Sequence, residues 1–256
     1  MMPSSRLARA LTAAGIPFET SVLLRDCTTF RIGGPAALLC RPHTQEQLVR
    51  TLDIWRTNDG NCPLFILGRG SNVLFPDNGF PGLVICTRDL QEVSLLRARE
   101  GTPCLRAGCG ALLAALSRRC VAEAPALSGL EFACGIPGTL GGAVVMNAGA
   151  YDGEMAFVVQ CSQVLTPQGE VCELTLPQHA FGYRTSRMKE TPGMVVLSTT
   201  FALKAGNQAD IEAKMADFAA RRRDKQPLSL PSAGSAYKRP EGHFAGQLIE
   251  QCGLKG

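Results

Sequence analysis

Hydrophobic residues recur along the chain at two spacings, which predict helices alternating with short strands. Leu48, Leu52 and Trp55 follow at helical spacing after a capping box that begins at Thr44, and we expect this helix to end at Gly60. Short apolar runs bounded by Gly, Pro or Asn predict buried strands. These runs are 38–41, 64–67 and 83–86 in the first third of the chain, and 158–165, 170–176 and 194–203 later.

The helical spacing returns near both ends of the chain and in its middle. It predicts a short N-terminal helix with Leu7 and Leu11 on one side, a helix over 111–123, a helix with Ile211 and Phe218 facing inward, and a last helix from about His243. This order of elements predicts the α+β fold class in three parts, 1–91, 92–205 and 206–256. A mixed or antiparallel sheet is expected in the second part.

Composition narrows the class of protein. Hydrophobic residues make up 45% of the 256 positions, enough to fill a real core, and a formal charge of +4 is too slight to indicate a nucleic-acid partner. No run approaches membrane-spanning length, and the first residues lack the apolar core of a signal peptide. Eleven cysteines without a CxxC pair indicate a reducing cytoplasm, and the histidines lack metal-ligand spacing, so no metal site is expected.

A first glycine loop follows one of the buried strands. Residues 68–72, Gly-Arg-Gly-Ser-Asn, offer an anion unhindered amides, a hydroxyl and a side-chain amide. Taken alone, so short a pattern is explained better by an ordinary tight turn. The loop continues into a strand-like run, 73–76, rather than a helix, and this excludes the Rossmann fingerprint.

Three later segments also carry chemistry. The glycine-dense stretch 134–150 suits a backbone wrapped closely around a flat or phosphorylated ligand. Segments 181–187 and 231–240 pair hydroxyls with cations, and an arginine beside a loop serine can stabilise a developing enolate while the serine delivers a proton. For each of these two segments alone, a solvated loop with a capping serine is the simpler explanation.

Together these segments resemble the FAD-dependent UDP-N-acetylenolpyruvoylglucosamine reductases, also called UDP-N-acetylmuramate dehydrogenases, of bacterial cell-wall synthesis. The matching segments occur in family order and span nearly the whole chain. They are 28–35 (TTFRIGGP), 67–74, 129–132 with 135–154, Tyr183-Arg184, 231–238 and 245–250.

The resemblance implies an FAD-binding fold of the PCMH or vanillyl-alcohol-oxidase type. Subdomains 1–91 and 92–205 would hold the flavin between them, and 206–256 would be an incomplete substrate domain. The FAD pyrophosphate is expected on the two glycine loops, with the flavin near the end of the second. The implied cofactor-binding residues are Leu67, Gly68, Arg69, Gly70, Ser71, Asn72 and Val73; Gly135, Ile136, Pro137, Gly138, Thr139, Gly141 and Gly142; and Asn147, Ala148, Gly149 and Ala150.

The reaction that the resemblance implies is reduction of UDP-N-acetylglucosamine enolpyruvate to UDP-N-acetylmuramate. NADPH reduces the flavin, which passes hydride to the enolpyruvyl double bond. Ser235 then protonates the neighbouring carbon, and Arg184 stabilises the enolate.

The resemblance also suggests substrate-binding residues. They are Tyr183, Lys238 and Arg239, the last standing where asparagine is often found. Arg221 and Lys225 either meet the UDP diphosphate or form a solvated cationic helix end that complements the helix dipole.

Members of this family continue for several tens of residues beyond the segment like 253–256 and carry a catalytic glutamate near their C-terminus. The resemblance therefore implies FAD binding with poor turnover for this 256-residue chain. We also expect a cytoplasmic monomer. Two alternatives stay open. One is a flavin oxidase or dehydrogenase of the same fold acting on another small molecule, and the other is a non-catalytic nucleotide-binding fragment.

Overall fold

The computed structural model describes residues 5–97 and 102–254. Within these ranges the helices are α1 (Ser5–Ala13), α2 (Gln45–Asp59), α3 (Leu113–Val121), α4 (Leu140–Val145), α5 (Arg187–Glu190), α6 (Gln208–Lys225) and α7 (Ala245–Gln251). The strands are β1 (Phe18–Leu23), β2 (Pro35–Cys40), β3 (Leu64–Leu67), β4 (Phe80–Cys86), β5 (Val93–Arg97), β6 (Pro103–Gly108), β7 (Leu127–Ser128), β8 (Gly149–Ala150), β9 (Gly153–Glu154), β10 (Val159–Leu165), β11 (Val171–Thr175), β12 (Val195–Ala202) and β13 (Lys204–Ala205).

Two sheets carry the fold. The first has the order β1-β2-β4-β3, in which β2 and β3 pair parallel with β4 while β1 pairs antiparallel with β2. The second has the order β11-β10-β12-β6-β5, and all its pairs are antiparallel. The parallel strands read as apolar runs because such strands are buried on both faces. The predicted α+β class and the antiparallel second sheet are therefore present.

Helix α2 begins and ends where the capping pattern predicts. The Thr44 hydroxyl accepts from the N–H of Gln47 at 3.2 Å, and the Gln47 side chain accepts from the N–H of His43 at 2.8 Å. The indole N–H of Trp55 donates to the Cys62 carbonyl at 2.9 Å, which ties the end of α2 to the loop before β3.

One large apolar cluster draws side chains from both sheets. Leu38 and Leu83 of the first sheet belong to the same cluster as Leu105 of the second. Helix α6 also reaches it through Phe218, whose ring stacks on Tyr151 at 4.4 Å. The boundaries at 91/92 and 205/206 remain predictions.

The segment after α6 is largely exposed. Helix α7 forms close to the position predicted from His243, but none of its residues is buried. Phe244 and Leu254 are 58% and 74% exposed.

Most cysteines act as small core residues, as their apolar surroundings predict. Seven of the eleven are buried, and burial raises the pKa of the Cys40, Cys109 and Cys120 thiols to about 12, so these thiols stay protonated and unreactive. Among the residues described, no cluster of His, Cys, Asp and Glu has the form of a metal site. In the same ranges no helix combines the length and the apolarity needed to cross a bilayer.

Candidate active site

The first glycine loop leaves the edge strand β3 without entering a helix. Leu67, the last residue of β3, is buried, and its carbonyl accepts from the N–H of Thr87 at 2.9 Å. The run 73–76, which looks strand-like in sequence, forms no strand in the structure. Its Phe75 side chain instead packs into a small apolar cluster with Leu67. Residues 68–76 therefore form one irregular loop, and a loop of this kind can turn its backbone N–H groups toward an anion.

The back of this loop is held through its carbonyls. The guanidinium of Arg88 donates to the carbonyls of Gly68 and Arg69, and the N–H of Thr29 donates to that of Gly70 at 3.0 Å. Gly70 has a φ of +72°, and a Cβ there would lie 2.5 Å from the Cys27 carbonyl, so no other residue fits.

The front of the loop presents free donors. Across the described residues, the backbone N–H groups from Gly68 to Val73 make no hydrogen bond, and neither does the Ser71 hydroxyl. A glycine-rich loop with six backbone N–H groups free of protein partners offers an anion the donors that it needs.

The second glycine loop is held by the start of α3 and by the residue that follows β6. The carbonyl of Gly138 accepts from the N–H of Leu113, and the N–H of Gly141 donates to the Cys109 carbonyl at 2.8 Å. The loop then runs into the short helix α4, which sequence analysis missed. Two glycines at its start lower its helical propensity, so only tertiary contacts reveal it.

The two loops meet face to face. A Cβ on Gly68 would lie 2.1 Å from the hydroxyl oxygen of Thr139, and one on Gly138 would lie 3.6 Å from the Ser71 hydroxyl. Thr139 is buried, and within the described ranges its hydroxyl has no hydrogen-bond partner. Free N–H groups, two free hydroxyls and a glycine on each side of the junction fit a pyrophosphate such as that of FAD.

Asn147 joins the end of the second loop to the turn that carries Arg184. It is buried, with a φ of +41°; its side chain donates to the Gly182 carbonyl at 3.1 Å and accepts from the N–H of Ala156 at 3.0 Å. The Arg184 guanidinium donates to the carbonyls of Asn147 and Gly149 at 3.4 and 3.1 Å. The structure thus brings Arg184 together with the predicted flavin-side segment 147–150.

The serine segment bridges the first loop and the Tyr183 turn. The Thr29 hydroxyl donates to the Ser232 carbonyl at 2.6 Å, and a Cβ on Gly234 would lie 3.3 Å from the Asn72 side chain. At its other end, the N–H of Arg239 donates to the Tyr183 hydroxyl at 3.2 Å. Ser235 lies between these two anchors and is exposed.

The predicted substrate cations differ in their surroundings. Arg221 pairs with Asp217 at 2.7 Å on the same helix, and Lys225 and Lys238 are exposed. The Arg239 guanidinium lies 3.9 Å from the centre of the Phe244 ring, so it is held by its own turn. None of these contacts brings Arg221 or Lys225 against the glycine loops.

Arg222 is a further candidate cation for the site, and the sequence analysis did not single it out. A Cβ on Gly135 would lie 3.0 Å from its Cδ, so its side chain runs along the start of the second glycine loop. In the sequence it is the middle one of three consecutive arginines, and nothing there distinguishes it from its neighbours.

Comparisons with known proteins show the family. The sequence model of the FAD binding domain family matches residues 36–175, and that of the UDP-N-acetylenolpyruvoylglucosamine reductase C-terminal domain matches 226–256. Two bacterial UDP-N-acetylenolpyruvoylglucosamine reductases are similar. That of Clostridium botulinum (strain Eklund 17B) is 44% identical over 93% of this chain and 75% of its own length, and that of Clostridium perfringens (strain SM101) is 47% identical over 89% and 71%.

Solved structures support the same assignment. The UDP-N-acetylenolpyruvylglucosamine reductase (MurB) of Thermus caldophilus superposes with a TM-score of 0.78 at 36% identity, covering 94% of this chain and 82% of that one. A berberine bridge enzyme variant superposes with a TM-score of 0.58 at 14% identity over 79% of this chain and 44% of its own, which shows a shared fold alone. With an FAD binding domain over more than half its length and relatives at this level of identity, the chain belongs to the UDP-N-acetylenolpyruvoylglucosamine reductase family of FAD-dependent oxidoreductases.

Proposed function

We propose that the chain uses NADPH and FAD to reduce the enolpyruvyl group of UDP-N-acetylglucosamine enolpyruvate, giving UDP-N-acetylmuramate for peptidoglycan precursor synthesis. The observation that carries the proposal is that three segments, the first glycine loop, the turn with Tyr183 and Arg184, and the serine segment 231–240, are held together. The serine segment is anchored at one end to the first glycine loop, through Thr29 and Ser232, and at the other end to Tyr183, next to Arg184. These contacts support a site in which Ser235 would be the general acid and Arg184 the cation beside the cofactor.

The two glycine loops would bind the FAD pyrophosphate through their free N–H groups. Thr139 and Ser71 would add their hydroxyls, and Asn147 to Ala150 would lie beside the flavin. FAD, when bound, supplies the hydride-transfer chemistry that amino-acid side chains lack. The protein's part is to place the substrate's double bond against it and exclude water.

Arg184 would stabilise negative charge on the substrate. The carbonyls of Asn147 and Gly149 hold two of its nitrogens, which fixes the plane of the guanidinium without neutralising it. A fixed cation aimed at an oxygen that gains charge needs no reorganisation during the reaction, and this is the main source of electrostatic catalysis.

Ser235 would donate the proton to the carbon next to the one that receives hydride. An unperturbed serine hydroxyl is a weak acid, so it needs nearby cations and donors. Lys238 and Arg239 follow it in the same segment, and the Tyr183 hydroxyl binds that segment's backbone.

The diphosphate end of the substrate has two candidate partners, Arg221 and Lys225 at the end of α6. The Arg221 pair with Asp217 is exposed on both sides, and such pairs exchange readily for a phosphate. A solvated helix end remains the alternative. We also propose a cytoplasmic monomer; the eleven unpaired thiols support a reducing compartment.

The experiment is transient kinetics on the purified holoprotein, with reduction of FAD by NADPH and its re-oxidation by the enolpyruvyl substrate followed separately by flavin absorbance. Ser235→Ala should leave the first step unchanged and slow the second by about 10²- to 10⁴-fold, the usual contribution of a general acid. Ser229→Ala, at an exposed serine two residues before the serine segment, is the control and should leave both steps unchanged.

Two results would contradict the proposal. Equal re-oxidation rates in Ser235→Ala and the unmodified chain would favour a flavin enzyme with another substrate. A purified chain without yellow colour that takes up no added FAD would favour the non-catalytic alternative.

A further inference from the structure

Arg88 lies just after β4, behind the first glycine loop and half-buried. Its Nε donates to the Gly68 carbonyl at 3.1 Å, and its Nη2 donates to the Arg69 carbonyl at 3.0 Å and to the Cys27 carbonyl. One rigid guanidinium thus binds three backbone carbonyls from two separate segments. Lysine could not reproduce this planar arrangement.

The charge of Arg88 is not neutralised by an acid. Among the residues described, no carboxylate lies within ion-pair distance of its guanidinium. Asp89, its neighbour in sequence, pairs instead with His43 at 3.4 Å. A net positive charge therefore lies directly behind a loop whose front carries free N–H groups.

The peptide geometry links the two sides of the loop. In a trans peptide unit the C=O and N–H bonds point in opposite directions. The carbonyls of Gly68 and Arg69 point toward Arg88, so the N–H groups in the same two units, those of Arg69 and Gly70, point away from it. A hydrogen bond to a carbonyl also polarises its peptide unit and strengthens the N–H as a donor.

We propose that Arg88 is a positioning residue for the cofactor pyrophosphate: it orients and polarises the N–H groups of Arg69 and Gly70, and its charge favours an anion in front of them. This inference rests on the proposed seat of the FAD pyrophosphate. It adds a residue that would not touch the cofactor and lies outside every segment that suggested the site from sequence.

The test compares the affinities of the apoprotein for FAD and for riboflavin, which lacks phosphate, by flavin fluorescence titration at two salt concentrations. Arg88→Met should weaken FAD binding about 10- to 100-fold, leave riboflavin affinity within about twofold, and reduce the salt dependence of FAD binding. Arg88→Lys, which keeps the charge but not the planar fork, should fall between. Arg50→Met, an exposed arginine on α2, should match the unmodified chain.

Amide NMR shifts give a readout that does not depend on binding. In Arg88→Met apoprotein the amide proton resonances of Arg69 and Gly70 should move upfield, because their peptide units are less polarised, while those of β4 keep their positions. If Arg88→Met misfolds, the Arg88→Lys variant decides the question by the same ratio of FAD to riboflavin affinity.

The outcomes separate the two proposals. An unmodified chain that binds FAD and riboflavin equally well would overturn the pyrophosphate seat itself. An unmodified chain that prefers FAD, with the same preference and salt dependence in both Arg88 variants, would leave the seat intact and overturn the role of Arg88.

Discussion

Replacing Gly68 by alanine would test the junction between the two glycine loops. The new Cβ would lie 2.1 Å from the Thr139 hydroxyl oxygen, about 0.9 Å short of the 3.0 Å that real Cβ contacts keep. Either the loops separate by that amount, or the Thr139 side chain rotates and withdraws its hydroxyl. Both responses remove donors from the proposed pyrophosphate seat.

The expected loss of FAD affinity can be worked out for either response of the loops. Overpacking costs about 1–3 kcal/mol, and a hydrogen bond to a charged group contributes about 1.5–3 kcal/mol. We therefore expect Gly68→Ala to weaken FAD binding by about 10- to 100-fold, since 1.4 kcal/mol corresponds to a factor of about ten. Gly246→Ala is the matched control because its Cβ would meet nothing within 4 Å.

The double variant Gly68→Ala/Thr139→Ala distinguishes this clash from other roles of Gly68. Without the Thr139 hydroxyl, the nearest atom to the new Cβ is the Thr139 Cβ at 3.3 Å, a tight contact that small shifts relieve. Alanine at 68 should then cost little more in the Thr139→Ala background, leaving a coupling of about 1–2 kcal/mol. FAD titrations of the four apoproteins measure it, and additive losses would refute the reasoning, because they would mean that the ligand itself needs the glycine.

Two further predictions concern stability, both measured by urea unfolding. The ring of His179 bonds to the Thr175 carbonyl and the Ser162 hydroxyl, and burial lowers its pKa. The neutral ring therefore stabilises the fold above the unfolded-state pKa of about 6.5, and this stability is lost as the pH falls below that value. His179→Gln should flatten this loss below about pH 6.5, and a slope equal to that of the unmodified chain would contradict the prediction. Asn207 caps α6 by accepting from two N–H groups, so Asn207→Ala should cost about 1 kcal/mol and Asn207→Asp much less, and an equal loss in both would show that the cap contributes nothing.

Local pattern was enough to predict the elements whose causes are local. The capping box before α2, the apolar runs of β2, β3 and β4, and the antiparallel second sheet all formed as expected. The run 73–76 has strand-like composition, but no described strand pairs with it, so it remains an irregular part of the loop.

The sequence predicted the glycine loops that would face the ligand, but not the residues that hold these loops in place. Glycines mark where a backbone can approach an anion, so both loops could be found from sequence. The groups that fix those loops come from elsewhere: Thr29 and Arg88 reach Gly70 and Gly68 from 41 and 20 positions away. Contacts at such separations depend on the register of the sheet, and no spacing rule in a single sequence records them.

Trp55 has a practical consequence, because it is the only tryptophan in the chain. Its emission arises from one defined place, the end of α2 where the indole binds the Cys62 carbonyl beside β3. Bound flavin absorbs in the range where tryptophan emits, so occupancy of the cofactor site should dim this emission. The protein thus carries its own optical reporter, which can follow cofactor loading and unfolding of the first sheet without an added label.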